Sequence, residues 1–368
     1  MSFSNRFYLR VCCAVLFFVA ASASFSGFYE KNHFREAGVA GADLQSSFEG
    51  MLNGTALRPF VYRQLLPDIA NWAGRVTPQP VQDRIYAWFY QKHEFGNSQK
   101  IVAFAKSATA QDPHWFYRYL IFYLATFFSV WLSVFGMYLV CRAVGLSQPV
   151  AVFAPIVVIL LMPYIQAYAY DCAELAFLSF AVWAALRFNW WYLLPLAAIA
   201  AWNKESFLFF VPALYPFFRQ RASRLSSVIG VLALCTVSGL VYLWLRARFA
   251  HNAGYTTFFQ LEDQLDNFIH PHKLLFATED TYGIRLLMPF TVAPMALLIW
   301  TIVRVWRKLP LPVRRHAQIA AIINIPLYLL FCNANELRDL SMLYPIFLLI
   351  VAWNLKDWME RTAAQPAQ

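Results

Sequence analysis

The chain has 368 residues, of which 60% are apolar and only 14% charged, with a mean hydropathy of +0.47. A soluble domain of this size needs more polar surface to cover its core, which excludes a soluble enzyme, a disordered regulator or a secreted disulfide scaffold and indicates a polytopic membrane protein. The net charge of +10 does not mark a nucleic-acid binder, because the 30 Lys and Arg are scattered among apolar runs without a basic stripe or binding motif.

In chain order, apolar runs of spanning length predict an all-α fold of about ten membrane helices. The first, Val11 to Phe28 within residues 1–28, also fits a cleavable signal peptide, with Arg6 and Arg10 before it and Ala21-Ser22-Ala23 as a cleavage site. Residues 29–113 form a long outer segment rich in aromatic and aliphatic residues. Within it, Leu57 to Pro67 (LRPFVYRQLLP) reads as a short amphipathic helix lying on the membrane surface, with Pro59 in its first turn and Pro67 disfavouring continuation.

Residues 114–357 form the main membrane domain. Its runs are Trp115–Cys141, Pro149–Tyr168, Cys172–Phe188, Trp190–Trp202, Phe207–Phe218, Ser227–Trp244, Leu286–Val305, Ala317–Cys332 and Leu340–Leu355. A second outer loop, Ala250 to Gly283, places Leu261, Leu265 and Phe268 at near-helical spacing. Residues 358–368 form a short tail. With the N-terminus inside, the short inner loops collect most of the loop Lys and Arg, among them Arg142, Arg219, Arg304 and Arg314, so the N-in, C-in arrangement is consistent. Of the 20 Asp and Glu, only Asp357 and Glu360 then fall inside.

The six cysteines lie in or beside apolar runs with no CxxC or Cys/His ligand spacing. His270-Pro271-His272 has no third ligand nearby and reads as a loop, and Asn53-Gly54-Thr55 is a formal glycosylation sequon of little weight. No P-loop or GxGxxG motif occurs.

Charge gathers at three outer turns. Asp171 and Glu174 are spaced i,i+3 where a span begins, which serves either helix capping or a functional pair. Asn203-Lys204-Glu205-Ser206 separates two runs of roughly a dozen residues, each short of the ~20 of a full span. That break places charge slightly inside the membrane boundary, and the adjacent Lys204 and Glu205 point different ways. Glu336 and Asp339 repeat the i,i+3 spacing around Arg338. Arg58 and Arg63 are read either as interfacial anchors or as a clamp on a substrate phosphate.

A first span, a long outer loop and many spans with short turns, carrying RPFVYRQLLP (58–67), YDCAEL (170–175), NKES (203–206) and NELRDLSMLYP (335–345) in that order, resemble bacterial membrane glycosyltransferases of the GT-C superfamily. The resemblance covers nearly the whole chain, and the order of the motifs carries most of it. It implies transfer of a sugar from a polyprenyl-phosphate donor to a glycan, lipid or protein acceptor on the outer face of a bacterial inner membrane, with membrane lipids as the surroundings and no nucleic-acid partner. The implied catalytic acids are Glu30, the nearest match to the first-loop carboxylate, with Asp171 and Glu174. Glu36, Asp43 and Glu49 are rivals to Glu30, because the loop lacks the adjacent acidic pair of better-defined members. The implied substrate contacts are Arg58, Tyr62, Arg63, Lys204, Glu205, Glu336 and Arg338. No cofactor is established, and a divalent cation is left open. A polysaccharide polymerase or ligase, a transporter or flippase, and a noncatalytic assembly subunit are the alternatives.

Overall fold

The computed structural model describes residues 3–36, 47–90, 104, 107–255, 257–333 and 336–364. It is 80% helical, with one two-stranded hairpin. In chain order the helices are α1 (Phe3–Asn32), α2 (Phe48–Asn53), α3 (Leu65–Val76), α4 (Gln79–Tyr90), α5 (Ala108–Gln111), α6 (Pro113–Ala143), α7 (Gln148–Leu161), α8 (Ala169–Arg187), α9 (Leu194–Asn203), α10 (Ser206–Phe210) and α11 (Tyr215–Phe218). There follow α12 (Arg224–Arg248), α13 (Leu261–Ile269), α14 (Pro271–Phe276), the strands β1 (Thr278–Thr281) and β2 (Ile284–Leu287), and then α15 (Val292–Trp306), α16 (Leu311–Phe331) and α17 (Tyr344–Ala364).

Local chemistry sets several boundaries. The Asp112 carboxylate accepts from the His114 N–H at 2.9 Å and Pro113 opens α6, so two first-turn requirements are met by adjacent residues. Ser47 and Ser223 cap α2 and α12 in the same way. Gly54, at φ +69, closes α2 in a left-handed conformation.

Among the described residues, five segments, rather than about ten, are long and apolar enough to cross a membrane: Val11–Arg35, Pro113–Ala143, Ala169–Arg187, Arg224–Arg248 and Leu337–Ala363. Gln148–Tyr164, Ser206–Phe218 and Val292–Trp306 are shorter apolar helices. The most extensive helix pairing is α6 along α8, where Gly136 lets the two backbones approach: a β-carbon there would sit 3.0 Å from Ser179 Cβ. α1 and α7 pack on α6, α17 packs on α7, and α9 packs on α12. α12 leaves Leu225, Leu232, Leu240 and Leu243 exposed, an apolar stripe suited to lipid rather than water.

The outer segment departs from its expected form. Leu57–Pro67 is not one helix: Phe60–Tyr62 make a single 3-10 turn and α3 starts only at Leu65. Pro67 lies in the first turn of α3, where its missing N–H has no intrahelical partner to lose. α3 packs against α6 and α9. A satellite core of Met51, Ala56, Val61, Tyr62, Tyr168, Tyr170, Leu245 and Phe249 ties this segment to the start of α8 and the end of α12.

The near-helical spacing of Leu261 and Leu265 corresponds to a helix, α13. Leu286, expected to open a span, instead lies in β2, paired with Glu279 of β1, and the helix begins at Val292. The β-hairpin turns through Tyr282 and Gly283, both at positive φ, and its second strand takes the first two residues of the expected run, Leu286 and Leu287. Asp43 lies outside the described residues.

Candidate functional site

The three charged turns meet at one end of the bundle. α9 ends at Asn203, and Lys204 takes an extended backbone (φ −159°, ψ 137°) before α10 begins. This break carries the Lys204 side chain into the bundle toward α8. Its ammonium lies 3.2 Å from Asp171 Oδ1, 2.8 Å from Glu174 Oε2 and 3.2 Å from Asp339 Oδ1. Lys204 is 3% exposed, Asp171 1% and Glu174 3%. One cation thus joins α8, the α9–α10 break and the 3-10 turn Leu337–Leu343.

The oxygens of Asp171 and Glu174 are committed. Asp171 Oδ2 accepts from the Tyr168 N–H at 3.0 Å, so the residue caps α8 while its other oxygen holds Lys204. Glu174 Oε1 accepts from Ser341 at 2.6 Å and from Ser206. Capping and ion pairing are therefore simultaneous at this pair.

Glu205 turns the other way. Arg63 Nη2 donates to Glu205 Oε1 at 2.9 Å, and Arg63 also donates to the Tyr170 hydroxyl, its guanidinium lying 4.4 Å from that ring's centroid. Burial by itself lowers the Arg63 pKa, but Glu205 and Tyr170 outweigh it and hold the guanidinium charged well above its usual range. Glu205 Oε2 is buried with no hydrogen-bond partner among the described residues. Arg338 pairs with Glu336 at 2.7 Å and lies 3.7 Å from both Asp171 Oδ2 and Asp339 Oδ2.

Arg63, Lys204 and Arg338 are thus engaged by Asp171, Glu174, Glu205, Glu336 and Asp339, a set with more carboxylates than cations. Arg35 is different. His33, Phe34 and Arg35 run through the left-handed region at φ 40, 51 and 53, an uncommon path for residues with side chains. The turn buries Phe34 and sets the Arg35 guanidinium 4.4 Å from the Tyr168 ring centroid. The Arg338 guanidinium lies 4.6 Å from the same ring, and Tyr168 stacks on Tyr170 at 4.9 Å. Arg35 has no carboxylate partner among the described residues and lies beside the cluster.

Of the residues singled out in the sequence, Asp171, Glu174, Arg63, Lys204, Glu205, Glu336 and Arg338 come together. Arg58 and Tyr62 do not join their ion pairs. Arg58 is tied through its backbone, its N–H donating to Ala253 O at 3.0 Å, and Tyr62 is buried in the satellite core, edge-on to Tyr242. Glu30 is exposed.

Among the rivals to Glu30, Glu36 is 1% exposed and accepts from Tyr119 and Ser107, each at 2.7 Å, while Tyr119 shares a 2.5 Å hydrogen bond with Tyr29. Burial raises the Glu36 pKa above its ordinary value of 4.5, with the Tyr119 and Ser107 hydrogen bonds opposing. Glu49 accepts from Thr109. Sequence reasoning missed Arg35, Tyr170, Ser206 and Ser341. The last three lie inside the quoted motifs, whereas nothing local marks Arg35.

A second charged group, Asp357 with Arg304, Lys308 and Arg361, lies along α17 roughly 20 Å from Tyr344 at 1.5 Å per residue. Among the described residues, no three His, Cys, Asp or Glu are grouped to hold a metal ion. No family model, curated protein or solved structure matches this chain.

Proposed function

We propose that the chain is a glycosyltransferase of about ten spans, N-in and C-in, that takes a sugar from a polyprenyl-phosphate donor at the extracytoplasmic face of a bacterial inner membrane. The observation that carries this reading is the Arg35 guanidinium, without a carboxylate partner among the described residues, at the edge of a buried network containing Arg63, Lys204, Arg338 and five carboxylates. A lipid phosphate entering from the bilayer meets Arg35 first, with Arg338 beside the same tyrosine ring. Guanidiniums stabilise charge developing on a departing phosphate, and do so more strongly where water is excluded.

Within the cluster, Asp171 and Glu174 act as positioning residues, because their oxygens are taken up by Lys204, serine hydroxyls and the α8 cap. Glu205 is the proposed base. Arg63 orients it through Oε1, and the unpartnered Oε2 accepts the proton of an acceptor hydroxyl as that oxygen attacks the anomeric carbon. The bond from the anomeric carbon to the phosphate oxygen breaks, and its electron pair leaves with the lipid phosphate.

The test is incubation of the full chain in nanodiscs with a panel of radiolabelled polyprenyl-phosphate sugars and lipid-linked oligosaccharides. Loss of label from one monosaccharide donor, abolished by Arg35→Gln and Glu205→Gln, is expected. Consumption of oligosaccharides alone favours a polymerase or ligase. Vesicle transport without chemical change in any donor overturns the enzyme reading in favour of a transporter.

A further inference from the structure

A polar cleft of about 500 Å³ lies beside the cluster, walled by α3, α4, the start of α6 and the end of α12. Its volume is in the range of small-molecule sites, about 300–1,000 Å³. Three of its wall residues are guanidiniums, Arg75, Arg118 and Arg248, against a single carboxylate, Asp68. Arg248 grips Asp68 with two bonds of 3.0 and 3.2 Å, and the Trp202 indole N–H donates to the same carboxylate at 3.1 Å. Asp68 is therefore spent.

Arg118 is fixed without any acid among the described residues. Its guanidinium lies 4.4 Å from the Trp115 ring centroid and donates to Asn71 Oδ1 at 3.5 Å. Arg75 has no carboxylate partner among the described residues. Among the described residues, the cleft therefore keeps two positive charges with no carboxylate partner, with His114 beside them. The remaining wall is amide. The Gln82 amide nitrogen is committed to Gly74 O at 2.9 Å and Thr77 O at 2.7 Å, leaving its carbonyl oxygen as an acceptor for a ligand hydroxyl.

We infer that this cleft binds an anionic saccharide, a glycan segment bearing carboxylate or phosphate groups. Arg75 and Arg118 take the anion, and the Asn and Gln side chains take the hydroxyls. Trp202 joins the cleft to the cluster: it contacts Asp68 and lies two residues before Lys204. Calling this glycan the acceptor rests on the glycosyl-transfer reading, but binding itself does not.

The test measures binding to the full chain in zwitterionic-lipid nanodiscs, with no donor present. The probes are trigalacturonate, neutral maltotriose and inorganic phosphate. Trigalacturonate is expected to bind, to weaken as salt rises, and to weaken by at least ~10-fold in Arg75→Gln/Arg118→Gln, while maltotriose binds far less. The variant's thermal transition, unchanged from wild type, shows that the fold survives. Equal binding of maltotriose, or trigalacturonate affinity intact in the double variant, overturns the inference. Phosphate binding as tightly as the glycan reduces the cleft to a plain anion site and overturns the saccharide assignment. Donor consumption is scored separately, so failure of the transfer reading leaves this outcome legible.

Discussion

Lys204 and Glu205 are neighbours in the chain whose side chains serve opposite sides of one site: Lys204 Nζ lies 2.8 Å from Glu174 Oε2, and Glu205 Oε1 lies 2.9 Å from Arg63 Nη2. The break between α9 and α10 makes this possible, because an extended residue directs its side chain away from that of the next. The same pair therefore links the carboxylates of α8 to Arg63 of the outer segment.

Removing Lys204 leaves Asp171, Glu174 and Asp339 without their shared cation. Breaking a buried ion pair from one side typically costs about 3–5 kcal/mol, because the partner charge stays behind without compensation. Lys204→Met is expected to lower thermal stability in detergent by an amount in that range. Lys204→Met/Glu174→Gln is expected to recover part of the loss. A double variant no more stable than the single one would show that Glu174 does not depend on Lys204.

Arg35→Gln is expected to lower donor turnover about 10²–10³-fold, the size seen when one stabilising donor is removed from a charge-developing centre. The thermal transition should hardly move, since Arg35 pairs with no carboxylate among the described residues. Arg35→Lys keeps the charge but not the planar fork, so intermediate activity is expected. Wild-type turnover in Arg35→Gln removes this residue from the phosphate site.

Glu36 makes stability depend on pH. Its folded pKa is raised, first by burial, so the folded state holds this proton more tightly than the unfolded chain does. Its contribution is fully present below about 4.5, the unfolded value, and is lost as pH rises through the folded value. Glu36→Gln keeps the shape and cannot ionise. Against this variant, the wild-type melting temperature is expected to fall progressively as pH rises above 4.5, and parallel curves from pH 4 to 8 would rule out the linkage.

Gly136 and Gly239 offer a matched pair. A β-carbon at Gly136 meets Ser179 Cβ at 3.0 Å and Phe180 at 3.4 Å, whereas one at Gly239 meets nothing within 4 Å. Overpacking costs about 1–3 kcal/mol. Gly136→Val is therefore expected to destabilise the chain by that amount through separation of α6 from α8, and Gly239→Val by much less. Equal melting shifts in detergent would mean that the α6–α8 approach is not the sensitive contact.

Much of the site was legible because its residues interrupt apolar runs. Polar groups at span ends are costly against lipid, so Asp171, Glu174, Lys204, Glu205, Glu336 and Arg338 stand out from their surroundings. Glu36 and Arg35 do not. They lie in a segment of ordinary mixed composition, where nothing local distinguishes the buried carboxylate from exposed Glu30 or Arg35 from its neighbours. Leu57–Pro67 misled for a related reason: its apolar spacing suits a surface helix, but its side chains are claimed by a satellite core with Tyr168, Tyr170 and Phe249.

Composition and periodicity alone determined the helical class and the turns where charge collects, and their roughly ten apolar runs include the five described segments long enough to cross a membrane, because apolar character is a property of each segment by itself. Tertiary structure alone decided which charges meet. Spacing of i,i+3 puts Asp171 and Glu174 on one helix face but does not say that Lys204, rather than Arg338, lies between them. That choice depends on the backbone break at Lys204, the left-handed turn that carries Arg35 onto Tyr168, and the packing of α3 that brings Arg63 to Glu205. Pairings of this kind join residues far apart in the chain, and only the packed helices bring them within a few ångströms.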